Sequence, residues 1–142
     1  MKIFKLPQPK EADIQRNVFL WAQMLCREHP ELELLNASMN GAWIPGGKSK
    51  AAQSLKFKII AVLKKLGCIR KGYPDLFLPV ARGNWHGLYI ELKRKKGGKV
   101  SDDQKWWIRK LTEQGYLAVV ARGFNETVAV ILRYLKGEIK SC

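Results

Sequence analysis

The chain has 142 residues, and its 26 Lys and Arg against 12 Asp and Glu give a formal net charge of +14 at pH 7. This length suits one domain, and a hydrophobic fraction of 46% supports a core, which argues against disorder. The sequence lacks an apolar run of the ~20 residues that span a bilayer, so we expect no membrane partner. A positive excess of this size predicts a polyanionic partner, most commonly nucleic acid.

The cysteines and the N-terminus bear on the cellular compartment. Cys26, Cys68 and Cys142 are odd in number and widely spaced, with no Cys-x-x-Cys pair, which disfavours both a disulfide framework and structural zinc. The first residues contain no apolar stretch of signal-peptide length. We therefore expect a cytoplasmic protein with reduced thiols.

The first half of the chain predicts two helices and a short strand. Apolar residues at three- and four-residue steps indicate a helix that begins at Glu11 and is limited by Pro30. A short strand over residues 32–37 and a glycine-rich loop follow. A second apolar stripe predicts a helix over residues 52–66, which ends before Gly67.

The second half predicts strands and helices of an α/β domain. Residues 76–80 and 87–93 read as two strands of an antiparallel hairpin. Residues 101–104 have the form of a capping box that opens a helix. The apolar run 116–121 is typical of a buried parallel strand, and Asn125 is the predicted N-cap of a last helix. The expected fold is therefore α/β, with a mixed sheet flanked by helices.

Two carboxylates and a lysine fall on the predicted hairpin. Side chains alternate along a strand, so Glu91 and Lys93 share one face and Leu92 takes the other. Asp75 precedes the first strand, and antiparallel pairing can bring it opposite Glu91. Paired carboxylates are ligands for Mg²⁺, and a lysine beside them can position an attacking water. The pattern predicts phosphodiester hydrolysis, with a surface ion pair between Glu91 and Lys93 as the simpler alternative.

Basic residues surround this acidic segment. No acid lies between Glu33 and Asp75, and a second acid-free basic cluster follows directly after Glu91. We expect these runs to bind the phosphate backbone of nucleic acid. The candidate residues are Lys48, Lys50, Lys58, Lys71, Arg94, Lys95, Lys96 and Lys99.

With these residues the sequence resembles a known family, the VRR-NUC branch of the PD-(D/E)XK nuclease superfamily. The matching residues are Gly72-Tyr73-Pro74-Asp75-Leu76, Ile90-Glu91-Leu92-Lys93, Gly97-Gly98, Ser101, Gln104 and Gly115. Residues 72–122 carry the strong part of the likeness, and Glu11, Gln15 and Asn40-Gly41 add a weaker part. The resemblance implies a restriction-endonuclease-like core in a single nuclease domain, 1–142, that begins with a short arm, 1–10.

The resemblance also implies a metal and its ligands. Members of this branch are divalent-metal-dependent nucleases, so Mg²⁺ or Mn²⁺ is the expected cofactor. Carried over to this chain, Asp75 and Glu91 bind the metal, and the backbone carbonyl of Leu92 adds a ligand. Lys93 then serves catalysis.

Two further residues have competing interpretations. A glutamine on the helix after Glu-x-Lys belongs to the active site in this family, which points to Gln104, yet the same residue could simply cap its helix. Glu11 could complete the metal site through water. Alternatively, it is a first-turn acid stabilised by the helix dipole.

The implied function is cleavage of branched DNA. Small stand-alone members, mostly bacterial and phage proteins, resemble Holliday-junction resolvases and act as homodimers. We therefore expect a homodimeric DNA endonuclease selective for four-way junctions, in a bacterial cell or a phage-infected host. Two alternatives stay open: a linear-duplex nuclease of restriction or packaging type, and a basic nucleic-acid-binding protein without catalysis.

Overall fold

The computed structural model describes residues 8–41 and 46–140, and their centre is a mixed four-stranded sheet. The sheet has the order β1-β2-β3-β4, with β1–β2 and β2–β3 antiparallel and β3–β4 parallel. The strands are β1 (Asn36–Ala37), β2 (Leu76–Leu78), β3 (Leu88–Lys93) and β4 (Leu117–Arg122). The predicted α/β fold, mixed sheet and antiparallel hairpin are confirmed.

Helices cover both faces of the sheet. The helices α1 and α4 pack together on one face, and α3 lies against β4 on the other. Two short 3₁₀ helices follow α1. The bounds are α1 (Glu11–Leu25), α2 (Lys50–Lys65), α3 (Asp102–Glu113) and α4 (Gly123–Leu135), with 3₁₀ turns at Pro30–Leu34 and Met39–Gly41.

The core lies between β3 and the pair α1 and α4. Alternate residues of β3 face it, and they join apolar side chains of both helices in one cluster. The intervening residues of β3 face α3 instead. The members of the core cluster include Leu88, Ile90 and Leu92 of β3, Ile14 and Val18 of α1, and Ile131 and Tyr134 of α4.

Two element boundaries differ from the prediction. The expected strand 32–37 is a 3₁₀ helix followed by a strand of two residues, because a proline opens the turn and the buried Leu32 and Leu35 have its three-residue spacing. Asn125 does not cap α4. The left-handed backbone of Gly123 (φ +80°) lets the chain turn directly from β4 into the helix, two residues earlier.

The predicted starts of α1 and α3 are confirmed. The first helix begins at Glu11, and the capping box at Ser101 opens α3. Cys26 and Cys68 are free thiols. Residues 1–7 of the expected arm, and Cys142, lie outside the described residues. No helix in the described part of the chain is long and apolar enough to cross a membrane.

The apolar stripe of α2 is not part of the core. No described residue of this helix is buried. The exposed fractions are 60% for Leu55, 38% for Ile59, 54% for Val62 and 71% for Leu66. Sequence periodicity therefore located the helix and its apolar face, but that face is open.

Candidate active site

The hairpin register brings the two predicted carboxylates together. Leu76 of β2 pairs with Ile90 of β3, so the residue before it, Asp75, falls beside Glu91. The Oδ2 atom of Asp75 accepts a 2.7 Å hydrogen bond from the backbone N–H of Leu92. The neighbouring strand therefore holds the Asp75 carboxylate in place.

Glu91 and Lys93 form a buried ion pair. The Nζ atom of Lys93 donates to Oε1 of Glu91 over 2.9 Å, and the two residues are only 6% and 3% exposed. The prediction that they share a strand face is confirmed. The alternative of a surface ion pair is therefore right about the pairing and wrong about its place, because both residues are buried. Burial costs such a pair a desolvation penalty that a surface pair avoids.

Gln104 caps its helix and also contacts Glu91. Its side-chain Oε1 accepts from the backbone N–H of Ser101 over 2.8 Å, and the backbone N–H of Gln104 donates to Oγ of Ser101 over 3.2 Å. The same side chain donates from Nε2 to Oε1 of Glu91. Because the cap holds the amide, α3 presents a fixed hydrogen-bond donor to the carboxylate.

The electrostatics of the carboxylates favour an added cation. The pKa of Glu91 is raised from 4.5 to about 7, chiefly by burial and also by the adjacent charge of Asp75, while Lys93 acts in the opposite direction. Burial also raises the pKa of Asp75, against the stabilising hydrogen bond from Leu92. Two adjacent acids that resist ionisation need more positive charge than one ammonium supplies. A divalent cation would supply this charge, and the carboxylate oxygens are the ligands that Mg²⁺ prefers.

All five predicted side chains of the site open on one cleft of about 410 Å³. Glu11 stands on its wall, and its charge raises the pKa of Asp75 and of Glu91. Leu92 contributes no side chain, since that side chain is buried in the core, so its metal-binding carbonyl stays a prediction. The lining residues are Glu11, Asn40, Lys64, Ile69, Lys71, Gly72, Tyr73, Asp75, Glu91, Lys93 and Gln104.

The described residues contain no group of three or more His, Cys, Asp or Glu side chains placed to hold a metal ion together. Glu11 therefore does not complete a three-carboxylate cage with Asp75 and Glu91. A contribution from Glu11 through water stays a prediction.

The segment 70–73, which leads into β2, is held by Asn40 on one side and lies against the start of α3 on the other. Asn40 accepts from the backbone N–H of Arg70 over 2.8 Å and donates to the carbonyl of Tyr73 over 3.1 Å. Gly72 has a φ of +77°, and a Cβ there would lie 2.6 Å from atoms of Asp103. Only glycine allows the segment this close to the start of α3, where the capping box lies.

The predicted DNA-binding residues divide into two groups. Lys71 lines the cleft and forms a 2.8 Å ion pair with Asp103. Sequence reasoning missed Lys64, which also lines the cleft, although it lies in the same acid-free run. The remaining predicted residues are exposed and lie outside the described wall: Lys48, Lys50, Lys58, Arg94, Lys95, Lys96 and Lys99.

Comparison with known proteins places this site in a family. The VRR-NUC domain matches residues 20–125, a span that contains both carboxylates, the lysine and the glutamine. A solved structure described as "VRR_NUC domain protein" shares 30% sequence identity over 92% of both chains, with a TM-score of 0.64. No curated protein matches the chain. Because the match spans most of the sequence and the fold agrees, the chain belongs to the VRR-NUC domain family of nucleases.

Proposed function

We propose that this protein is a Mg²⁺- or Mn²⁺-dependent endonuclease that hydrolyses phosphodiester bonds of DNA in the cytoplasm. The observation that carries this proposal is the cluster of the half-buried Asp75 with the buried Glu91 and Lys93 on the wall of one cleft. The net charge of +14 attracts a phosphate backbone to the protein. The acidic side chains would repel that backbone unless a divalent cation lay between them, and their oxygens are suitable ligands for one.

Asp75 and Glu91 would hold the metal, together with the carbonyl of Leu92. When bound, the metal polarises a phosphoryl oxygen and lowers the pKa of a water molecule. The protein has already oriented both carboxylates. The Leu92 N–H holds Asp75, and Gln104 and Lys93 both donate to Oε1 of Glu91. Such hydrogen bonds hold the two carboxylates in fixed orientations before a metal ion binds.

Lys93 is the residue positioned to act on the reacting groups. Its ammonium lies on the cleft wall, 2.9 Å from Glu91. From there it can orient an attacking water and offset the negative charge that develops on the phosphoryl oxygens. Removal of one such donor typically lowers turnover by about 100- to 1000-fold.

We further propose that the substrate is a four-way junction and that the protein acts as a homodimer. A two-fold symmetric junction is cut symmetrically by two related sites, which a dimer supplies. Four exposed apolar residues of α2 and its C-cap recur at steps of four, three and four: Leu55, Ile59, Val62 and Leu66. This is the seam spacing of paired helices, so a second copy of α2 is the occupant that we propose for this face.

Cleavage assays with site variants test the active site. We expect Asp75→Ala and Lys93→Ala to lower the cleavage rate at least about 100-fold while DNA binding in EDTA is retained. The chain offers a matched control, because Glu138 and Lys140 repeat the Glu-x-Lys spacing on an exposed tail. Glu138→Ala and Lys140→Ala should cleave as the unaltered protein does. Undiminished cleavage by the Asp75 and Lys93 variants would show that the site is misplaced.

A panel of substrates tests the specificity. Mobile and immobile four-way junctions, a flap and a linear duplex are compared with each metal. Preferential cutting of linear duplex would favour a restriction or packaging nuclease. No cleavage of any substrate, together with no Mn²⁺ binding that depends on Asp75 and Glu91, would favour a non-catalytic binding protein.

A further inference from the structure

A second depression of about 510 Å³ adjoins the catalytic cleft. The two share the wall residues Lys64, Ile69 and Lys71, so a strand that crosses one can continue into the other. What distinguishes the second depression is a pair of adjacent indole rings, those of Trp106 and Trp107 of α3. We refer to these two rings as the tryptophan pair.

Trp107 is held in place from several sides. Its indole Nε1 donates a 3.0 Å hydrogen bond to the carbonyl of Lys71. The ring of Tyr73 meets it edge-on with 4.9 Å between the ring centroids, and the guanidinium of Arg70 lies 4.9 Å above the centroid. These contacts make Trp107 a rigid base for the ring beside it.

Trp106 is the open member of the tryptophan pair. Its ring meets Trp107 nearly at right angles, with 5.2 Å between centroids, and 45% of the residue is exposed. The wall around it carries the cations of Lys64, Arg70 and Lys71 against the one carboxylate of Asp103. A rigid exposed aromatic ring in a basic groove is the combination that proteins use to bind single-stranded nucleic acid, where bases stack and phosphates pair with cations.

The tryptophan pair lies close to the catalytic groups. Gln104, which donates to Glu91, is three residues before Trp107 on the same helix, and this corresponds to about 4.5 Å along the helix axis. The shared wall of Lys64, Ile69 and Lys71 then gives a strand with a phosphate at Glu91 a path toward the tryptophan pair.

We propose that Trp106 stacks on an unpaired nucleobase near the scissile phosphate, and that this contact selects DNA with an unpaired or splayed nucleotide close to the cut. A base inside an intact duplex is stacked on its neighbours and does not offer a free face to the indole. This inference rests on the proposed nuclease function, and it supplies a residue-level source for a preference for branched DNA. A segment of a second copy of the chain is the competing occupant of the depression.

Binding measurements in EDTA, without cleavage, test the stacking contact. Three duplexes are compared: one fully paired, one with a single unpaired base at its centre, and one with an abasic nucleotide at that position. We expect Trp106→Ala to weaken binding of the unpaired-base duplex about 5- to 150-fold, and Trp106→Phe to retain most of the affinity. Met24→Ala, which truncates a residue 81% exposed on α1, is the control and should change nothing.

The abasic duplex separates stacking from other contacts. If Trp106 stacks on the base, loss of the base and loss of the indole weaken binding equally, and the two losses are not additive. An effect of Trp106→Ala that is equal on all three duplexes, or no effect on any, overturns the proposal. The outcome is independent of catalysis: a protein that cuts nothing yet shows this coupling refutes the nuclease function and keeps the stacking site. A protein that cuts DNA but shows additive losses refutes the stacking site and keeps the nuclease function.

Discussion

Glu91 is the residue whose position has the clearest energetic consequence. Its carboxyl is buried beside a second carboxyl and receives hydrogen bonds from Lys93 and Gln104. Its folded-state pKa of about 7 lies above the ordinary value of 4.5. The folded chain therefore binds more protons than the unfolded chain between these two values, and the free energy of unfolding falls as pH rises from about 4.5 to about 7.

Replacement of Glu91 by its neutral isostere tests this cost. We expect Glu91→Gln to raise the free energy of unfolding at pH 8 in EDTA by up to about 3 kcal/mol and to flatten its dependence on pH. The amide keeps an acceptor for Lys93 and removes a buried negative charge. Chemical denaturation at pH 5 and pH 8 measures both effects, with Glu126→Gln as an exposed control. A variant less stable than the unaltered protein at pH 8 would contradict this assignment.

The same proton should compete with a metal ion. Because Glu91 must be ionised to bind a cation, we expect Mn²⁺ affinity to increase as pH rises through about 7. Calorimetric titration with Mn²⁺ at pH 5.5 and pH 8 measures the difference. The Glu91→Gln variant should bind weakly at both pH values, and an affinity independent of pH in the unaltered protein would count against Glu91 as a ligand.

At the scale of elements, the site depends on how closely the segment before β2 approaches α3. Asn40 fixes this segment from one side, and Gly72 allows it to touch the start of the helix. That start carries Gln104, whose side chain reaches Glu91. A change in the distance between the two elements should therefore alter the hydrogen bond from Gln104 to Glu91.

Two glycine substitutions separate crowding from backbone strain. Gly72 and Gly67 have nearly the same φ, +77° and +76°, but a Cβ at Gly67 meets nothing within 4 Å. We expect Gly67→Ala to lower the free energy of unfolding by about 1 kcal/mol, from strain alone. Gly72→Ala should lower it by about 3 kcal/mol or more, from strain and overpacking together, and should reduce cleavage. Denaturant titrations measure the pair, and equal losses would show that α3 does not press on Gly72.

At the scale of the molecule, α2 stands apart from the core. It carries an exposed apolar stripe and the lysines of the long acid-free run. A lone helix of this length is marginal in water, so a partner that covers the stripe would stabilise it. We have proposed that this partner is the α2 helix of a second copy.

Sedimentation of stripe variants tests the dimer. Val62 is 54% exposed within the stripe, and a buried carboxylate there would oppose helix pairing. We expect Val62→Asp to shift the protein from dimer to monomer and to leave its folding intact. Phe57→Asp, at an exposed apolar position outside the stripe, is the control and should remain dimeric. An unaltered protein that sediments as a monomer at all concentrations would refute the assembly.

Features that follow from local patterns were predictable. The start of α1, the capping box of α3 and the hairpin that carries Asp75 and Glu91 each depend on neighbouring residues. The boundary at Asn125 was missed, because a tight turn at Gly123 replaced the expected side-chain cap. The helix period of α2 marked an apolar face but carried no information about whether another element covers it.

By itself, the sequence determined which groups share a strand face, because strand alternation is a local property of the backbone. Alternation places Glu91 and Lys93 together, the hairpin adds Asp75, and composition alone gives the basic excess around them. Only the tertiary structure decided how deeply Glu91 is buried, that Gln104 reaches it while capping its helix, and that Trp106 stands exposed beside the cleft. Burial and contact depend on elements that are distant in sequence, and packing brings those elements together only in the folded chain.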